Sequence, residues 1–504
     1  MKKIILSSLL VLFGILSAYA TGPVDQNPLK GSLSPNLKCT GEKYETGTVV
    51  PYSYYLSPLA KQDSCAVYVI LEMDKSFSSV LEPMFQEKLI PEGIVIYVNP
   101  GTLDYQGDKD RSRWLRAEEF DQNGPEFCNL IIEEMIPAAV KDAGVVISRD
   151  PDKHFIHGGS SGGYLSWNAL WYRNDFFHRG FLSSPTFSAM RGGEEPMVLV
   201  RKTEPRPIRA FITAGTVEPD YFFGDSFYAA CNAADALEFA GYDVRFEIYA
   251  QGTHSYNRSD PDTWRRMMEW VFATDKVTVP RRCVRFASIV PENSSWQMVS
   301  EVETPSHLSL KAGGVSYEVR KGKLKVKSPS RKAFVGKELK NISSIAFSSD
   351  MWRLYVADAS RRFIYAYTLD TLGVPCSMYK LAPLHLAHDC KTIGGMDICV
   401  SSDDRVFVAT ELGVQSICSF GLTDIILPLP GDVPAIRVWM VENWLYAESS
   451  EGSVYRRQLN VSAHDGERPS TPSDRGYNDK FNYSRPHFKE MFNKYPKGEV
   501  LLEY

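Results

Sequence analysis

Several things are scarce in this chain of 504 residues, and each scarcity removes a class of function. Its nine cysteines (39, 65, 128, 231, 283, 376, 390, 399 and 418) include no Cys-x-x-Cys pair, which argues against a zinc ribbon or a dithiol redox centre. They are scattered and odd in number, and read as small buried hydrophobes with room for one bridge, a disulfide framework being the less favoured alternative. Basic residues are not in excess, 56 Lys and Arg against 61 Asp and Glu, so nucleic acid is not an expected partner. Beyond residue 20, no apolar run approaches the roughly 18 residues of a membrane-spanning helix.

The one conspicuous apolar run is at the start, MKKIILSSLLVLFGILSAYA. Lys2 and Lys3 precede an apolar core from Ile4 to Leu16, and Ala18 and Ala20 supply an A-x-A site. This order predicts a secretory leader cleaved after Ala20 and a product in the periplasm or outside the cell, with no membrane attachment afterwards. Loss of the two lysines takes the formal charge from −5 to −7.

From 45 to 275 strand-like runs alternate with helical ones. TVVPYSYYL (48–56), CAVYVIL (65–71), GIVIYVN (93–99), KHFIHG (153–158), IRAFITAG (208–215) and VRFEIYA (244–250) are rich in β-branched and aromatic residues. Between them lie 127–144, 165–176 and 226–242, of which the last two have helical spacing with Gly241 placed to stop the second, and 260–275 reads as a final helix. Such alternation predicts a mostly parallel sheet with helices on both faces. After 276 helical patterns fade. Strand–turn–strand triplets recur at 345–369, 396–420 and 436–458, which predicts an all-β, propeller-like domain of about five blades at about 40–45 residues each. The expected division is a leader over 1–20, an α/β domain over 21–276 and a β domain over 277–504.

Gly159-Ser160-Ser161-Gly162-Gly163 fits G-x-S-x-G with Ser161 at the centre and Ser160 as a small neighbour. It follows the strand FIHG and precedes a helix, the setting of a sharp turn that presents a nucleophile. The next N–H, that of Gly162, would then face a developing oxyanion. Chain order in such folds puts the acid next and the histidine last. His254, in the loop after the last strand, is the expected base. His154 and His157 read as packing residues, His178 as a helix end, and His307, His385, His388, His464 and His487 fall in the β domain. For the acid, Glu218 stands three residues past Gly215, with Asp220 as the alternative.

The text GTVVPYSYYLSP, IPEGIVIYVNPG, HGGSSGGYLSWNALWYR and FAGYDVRFEIYAQGTHS resembles the enterochelin-esterase-like branch of the α/β hydrolases, over essentially all of 45–275. The departures are Thr253, where the family has glycine, and the acid loop. The resemblance implies a serine esterase, an oxyanion loop at Leu71–Asp74 with a second donor at the Met73 N–H, and Arg116 as a loop arginine at the site mouth. The C-terminal part looks like a diverged gluconolactonase-type propeller. That family holds a divalent metal, but Ser343 and Gly394 stand where two of its ligands would be, so no metal, cofactor or lactonase activity is expected.

DKDRSRWLRAEEFD (108–121) sets Arg111, Arg113 and Arg116 around Trp114. Guanidinium groups beside an aromatic suit an acidic sugar, while pairing with Glu118, Glu119 and Asp121 is the competing role. The expected substrate is therefore an acidic oligo- or polysaccharide ester, best a methyl-esterified galacturonate, as in exported pectin methylesterases. Catecholate-siderophore esters and acetyl or feruloyl sugar esters are the alternatives. A carbohydrate-binding protein on an inactive hydrolase scaffold is the non-enzymatic one.

Overall fold

In the computed structural model the described residues are 31–464, apart from 42–47, 61–62, 74, 106–107, 255–259, 301 and 389. The expected leader and His487 therefore lie outside the described residues. The chain divides into two compact units. The first comprises residues up to Phe120, Pro125–Phe181 and Asn257–Lys276; the second comprises Asp121–Gly124, Leu182–Tyr256 and everything from Val277.

In the first unit two short strands, Ser32–Leu33 and Leu37–Cys39, pair with the strand that follows them, and then come β1 (Thr48–Leu56), β2 (Ala66–Leu71), α1 (Ser78–Gln86), β3 (Gly93–Val98), β4 (Thr102–Tyr105) and β5 (Asp108–Trp114). They are followed by α2 (Arg116–Phe120), α3 (Glu126–Leu130), α4 (Ile136–Ala143), β6 (His154–Gly159), α5 (Ser161–Tyr172) and β7 (Arg179–Ser183), inside which the unit ends. The strand order is β6-β2-β3-β1-β4-β5. β2 is parallel to both β3 and β6, but β1 is antiparallel to β3, and β4 and β5 are antiparallel additions. The sheet is thus mixed rather than mostly parallel. β5 contains the RSRW text, which is an edge strand and not the loop expected there.

Every residue of β2, β3 and β6 is buried, as strands covered on both faces must be. Two adjacent tyrosines of β1 show the two faces. The Tyr54 hydroxyl donates to Asp142 on α4 (2.7 Å) and the Tyr55 hydroxyl to Glu82 on α1 (2.9 Å). Successive side chains of a strand point to opposite sides, so α1 and α4 cover opposite faces. The helix expected over 127–144 is interrupted by a π-helical stretch, Ile131–Met135. Pro137, which has no N–H to donate, stands two residues after its end.

The second unit holds α6 (Glu195–Lys202), β8 (Arg209–Val217), the hairpin β9 (Asp220–Tyr221) and β10 (Gly224–Asp225), α7 (Ser226–Phe239) and β11 (Asp243–Thr253). β8 and β11 are parallel. Gly241 follows α7 with φ +86°, the left-handed stop its sequence position suggested. After a short helix, Val284–Ile289, the remaining strands of the unit are β12 (Gln297–Val299), β13 (Ser309–Ala312), β14 (Val315–Arg320), β15 (Lys323–Lys327), β16 (Ile342–Phe347), β17 (Arg353–Asp358), β18 (Phe363–Leu369), β19 (Pro375–Pro383), β20 (Asp397–Val400), β21 (Val406–Thr410), β22 (Gly413–Ile417), β23 (Thr423–Leu427), β24 (Ala435–Val441), β25 (Trp444–Ser449) and β26 (Val454–Gln458).

These strands form four antiparallel sheets among the described residues, β13-β14-β15, β16-β17-β18-β19, β20-β21-β22-β23 and β12-β26-β25-β24. The count is four, not five, because 277–296 and 328–341 carry almost no sheet. β12, from the start of the domain, completes the sheet of its last strands, which clasps the two ends of the array together. Within this unit the 182–256 segment is tied to the sheets by charge. Glu204 accepts from Arg457 (2.6 Å to each oxygen) and also pairs with Arg282. Lys202 donates to the Thr423 carbonyl (2.7 Å).

Two substitutions noted in the sequence are structural here. Ser343 Oγ donates to the Gly395 carbonyl (2.6 Å). A Cβ on Gly394 would stand 2.2 Å from the Asp358 carbonyl oxygen, so no acidic side chain fits at 394 in this backbone. All nine cysteines are free thiols.

Candidate active site

The carboxyl ends of parallel strands are where α/β sheets place their chemistry. In the first unit, β2 and β6 run side by side with Ile70 opposite His157, so the residues just past each strand emerge at the same edge. Both exits are strained. Glu72 after β2 has φ +57°, and Ser160 after β6 has φ 57° and ψ −125°. Side-chain-bearing residues rarely hold such angles unless the surroundings impose them.

The apex of the turn is therefore Ser160, and the expectation that Ser161 sits there is corrected. GGSSGG reads as G-x-S-x-G in two frames, and the backbone selects 158–162. A Cβ on Gly158 would meet the Gly162 carbonyl oxygen at 2.2 Å, so these two glycines are the ones the turn requires. Ser161 is instead the first residue of α5, 1% exposed, and its hydroxyl accepts from Arg116 Nη1 (2.6 Å). The N–H that follows the apex is then that of Ser161, not Gly162. The Glu72 N–H is used by the Val98 carbonyl (2.9 Å), whereas the Met73 N–H meets no acceptor among the described residues. Asp74, the end of the expected oxyanion loop, lies outside them.

Arg116 opens α2 and is held on two sides. Its Nε and Nη2 both donate to the Glu72 carboxylate, the latter at 2.8 Å, and its Nη1 donates to Ser161. The ion pair seen for Arg116 among the described residues is with Glu72, not with Glu119. Glu119 is fully buried and accepts from the Gly101 N–H (2.6 Å). Arg113 lies 3.4 Å from Glu118, and Trp114 is 52% exposed. The Arg111 side chain is not among those described.

In the second unit, β8 and β11 end together, with Val217 opposite Thr253. A Cβ on Gly215 would stand 2.0 Å from the Gly252 carbonyl oxygen, so the two strand ends close only because both positions are small. Glu218 folds back over this end. Its Oε1 accepts from the Gly215 N–H (3.0 Å) and the Ser184 hydroxyl (2.5 Å), and its Oε2 accepts from His254 Nδ1–H. The Glu218 side chain is fully buried and that of His254 is 23% exposed. Asp220 lies exposed in the β9–β10 hairpin, and the carboxylate on the imidazole is Glu218.

The other histidines near the turn are structural. His154 is buried, stacks on Phe176 (4.4 Å between ring centroids), accepts from the Val67 N–H and donates to the Ser148 carbonyl. Burial lowers its pKa to about 4. His157 donates to the Phe181 carbonyl (2.9 Å). His178 lies beyond the end of α5 and bonds Asp152 (2.7 Å). Ser184, Glu72 and the apex role of Ser160 were not found by sequence reasoning. An acid at a strand exit (ILEMD) was the only available hint for Glu72.

No family model and no curated protein matches the chain. Among solved structures, a ferulic acid esterase is similar at 14% identity and TM-score 0.37, over 48% of this chain and 98% of that one. The BES protein of Bacillus cereus is similar at 17% identity and TM-score 0.36, over 50% of this chain and 99% of that one. The enterobactin esterase of Shigella flexneri is similar at 13% identity and TM-score 0.37, over 47% of this chain and 59% of that one.

Proposed function

We propose that the protein is a serine carboxylic-ester hydrolase with Ser160 as nucleophile, His254 as general base and Glu218 as the acid that orients the imidazole. The observation that carries this is the strained Ser160 between β6 and α5, flanked by the close-packed Gly158 and Gly162. The role of His254 toward Ser160 follows from chain order and from its carboxylate partner. Ser160 Oγ adds to the ester carbonyl while His254 Nε2 takes its proton. The Ser161 and Met73 N–H groups stabilise the oxyanion. The alcohol leaves with the proton from His254, and water attacks the acyl-enzyme by the same route in reverse.

The preferred substrate is an ester of an acidic sugar chain, best a methyl-esterified galacturonate. Arg116, fixed in orientation by Glu72 and Ser161, supplies a guanidinium beside the turn for the carboxylate of a neighbouring uronate, and exposed Trp114 offers a ring face. The leader-like start supports action outside the cytoplasm. The test is an ester panel on the purified protein: methanol release from methylated oligogalacturonide, against 4-nitrophenyl acetate, feruloyl sugar and catecholate esters. Preference for the first supports the full proposal. Preference for a feruloyl or catecholate ester retains the esterase and replaces the substrate. No turnover of any ester refutes it.

A further inference from the structure

The sheet β16-β17-β18-β19 carries a cavity of about 400 Å³ lined by Glu338, Arg361, Tyr365, Met378, Tyr379 and Lys380. None of these residues belongs to the site described above. The volume falls in the range of about 300–1,000 Å³ typical of small-ligand sites.

The cavity is built by strand register. Tyr365 on β18 is opposite Lys380 on β19, and Tyr367 is opposite Met378, so Lys380 and Met378 share a face with the two tyrosines. β19 is the edge strand of its sheet, and Tyr379, opposite Ala366 and so directed to the other face, borders the space only at that edge. Three charged side chains converge on this space without neutralising one another. Among the described residues neither Arg361 nor Lys380 has a carboxylate within ion-pair reach, and Glu338 has no cation. The hydrogen bond seen for Arg361 is a long one, 3.4 Å to the Glu338 carbonyl oxygen, and the Lys380 ammonium sits 4.6 Å over the Phe363 ring. The guanidinium fork therefore keeps most of its donors for another acceptor.

We propose that this cavity is a binding site for a carboxylated sugar residue of an oligosaccharide chain. The carboxylate goes to Arg361 and Lys380, hydroxyl groups donate to Glu338 and to the Tyr365 phenol, and the C–H face of the ring lies on Met378, which shares their face. A single carboxylate suits two cations and one carboxylate better than a phosphate dianion, which Glu338 would repel. The Met378 side chain gives the site an apolar contact that a simple ion site lacks. The choice of a uronate as the sugar rests on the proposed substrate; the site itself does not.

The experiment titrates trigalacturonate into the full chain carrying Ser160→Ala, so that turnover plays no part, with xylotriose and inorganic phosphate as comparisons. Saturable binding of trigalacturonate alone is expected, weakened about tenfold or more by Arg361→Gln with Lys380→Gln, since bonds to charged groups carry the recognition. Arg361 and Lys380 are exposed, and an unchanged melting temperature verifies that the double variant folds. Binding unaffected by the double substitution, or equal binding of phosphate, overturns the proposal. The same double substitution in an otherwise unaltered chain is expected to leave 4-nitrophenyl acetate hydrolysis unchanged. Failure of this site is thereby distinguished from failure of the esterase reading.

Discussion

Gly158 and Gly162 pack so closely that a methyl group on the first would lie 2.2 Å from the carbonyl oxygen of the second. The contact brings the end of β6 against the first turn of α5, and the chain between them has room for one strained residue, Ser160. Gly158→Ala is expected to force the two apart, to destabilise the fold by about 1–3 kcal/mol and to reduce ester hydrolysis far more than its stability loss explains. Urea melts alongside kcat/KM for 4-nitrophenyl acetate check this. A Gly158→Ala variant with unaltered kinetics would show that the close approach does not shape the turn.

Glu218 is fully buried and its two oxygens are committed to Gly215, Ser184 and His254. Glu218→Gln keeps the shape but presents an amide to the imidazole, which permits the wrong tautomer. A fall in kcat of about 10³–10⁴-fold is expected, by analogy with removing the charge of a triad acid. Asp220→Asn, in the exposed hairpin, is expected to leave kcat within a factor of about two. Equal losses for both would remove Glu218 from its assigned role.

Arg116 is held by a two-point contact to Glu72 and a third to Ser161. A lysine cannot reproduce that fork. Arg116→Lys is therefore expected to behave like Arg116→Ala on methylated oligogalacturonide, raising KM about tenfold or more, with a smaller effect on 4-nitrophenyl acetate. Rescue by lysine would mean that charge alone matters there.

Acid sensitivity follows from His154. Burial holds it neutral, with its pKa lowered to about 4 from an ordinary value near 6.5. Between those values the unfolded chain binds a proton that the folded chain does not, so stability falls as pH drops from about 6.5 to about 4. The shift corresponds to about 3 kcal/mol, with no further loss from this group below about pH 4. Urea midpoints across that window are expected to decline with pH in the wild type and less steeply in His154→Gln. Equal slopes would contradict this assignment.

Much of the α/β organisation could be read from periodicity because β2 and β3 are uninterrupted apolar runs and α7 ends at a glycine. The antiparallel strands β4 and β5 could not, since DKDRSRW has no apolar alternation and is an edge strand held by pairing. The four-sheet count was hidden because long connections lie between triplets of regular length. At the site, residue types were legible and register was not. Two consecutive serines between paired glycines give two equivalent frames, and only the backbone angles distinguish them. Likewise Glu119 looks like the partner of Arg116 in sequence, but the α2 geometry turns it inward to Gly101 and leaves Arg116 to Glu72.

The central claim is that Ser160, not Ser161, is the nucleophile. Both Ser160→Ala and Ser161→Ala should be treated with a fluorophosphonate and examined by intact mass, with kcat measured on 4-nitrophenyl acetate. Ser160→Ala is expected to take up no label and lose about 10⁵–10⁶-fold in kcat. Ser161→Ala, which gives up a hydrogen bond from Arg116, is expected to be labelled and to lose about tenfold or less. A labelled, active Ser160→Ala together with an inert Ser161→Ala would contradict the account.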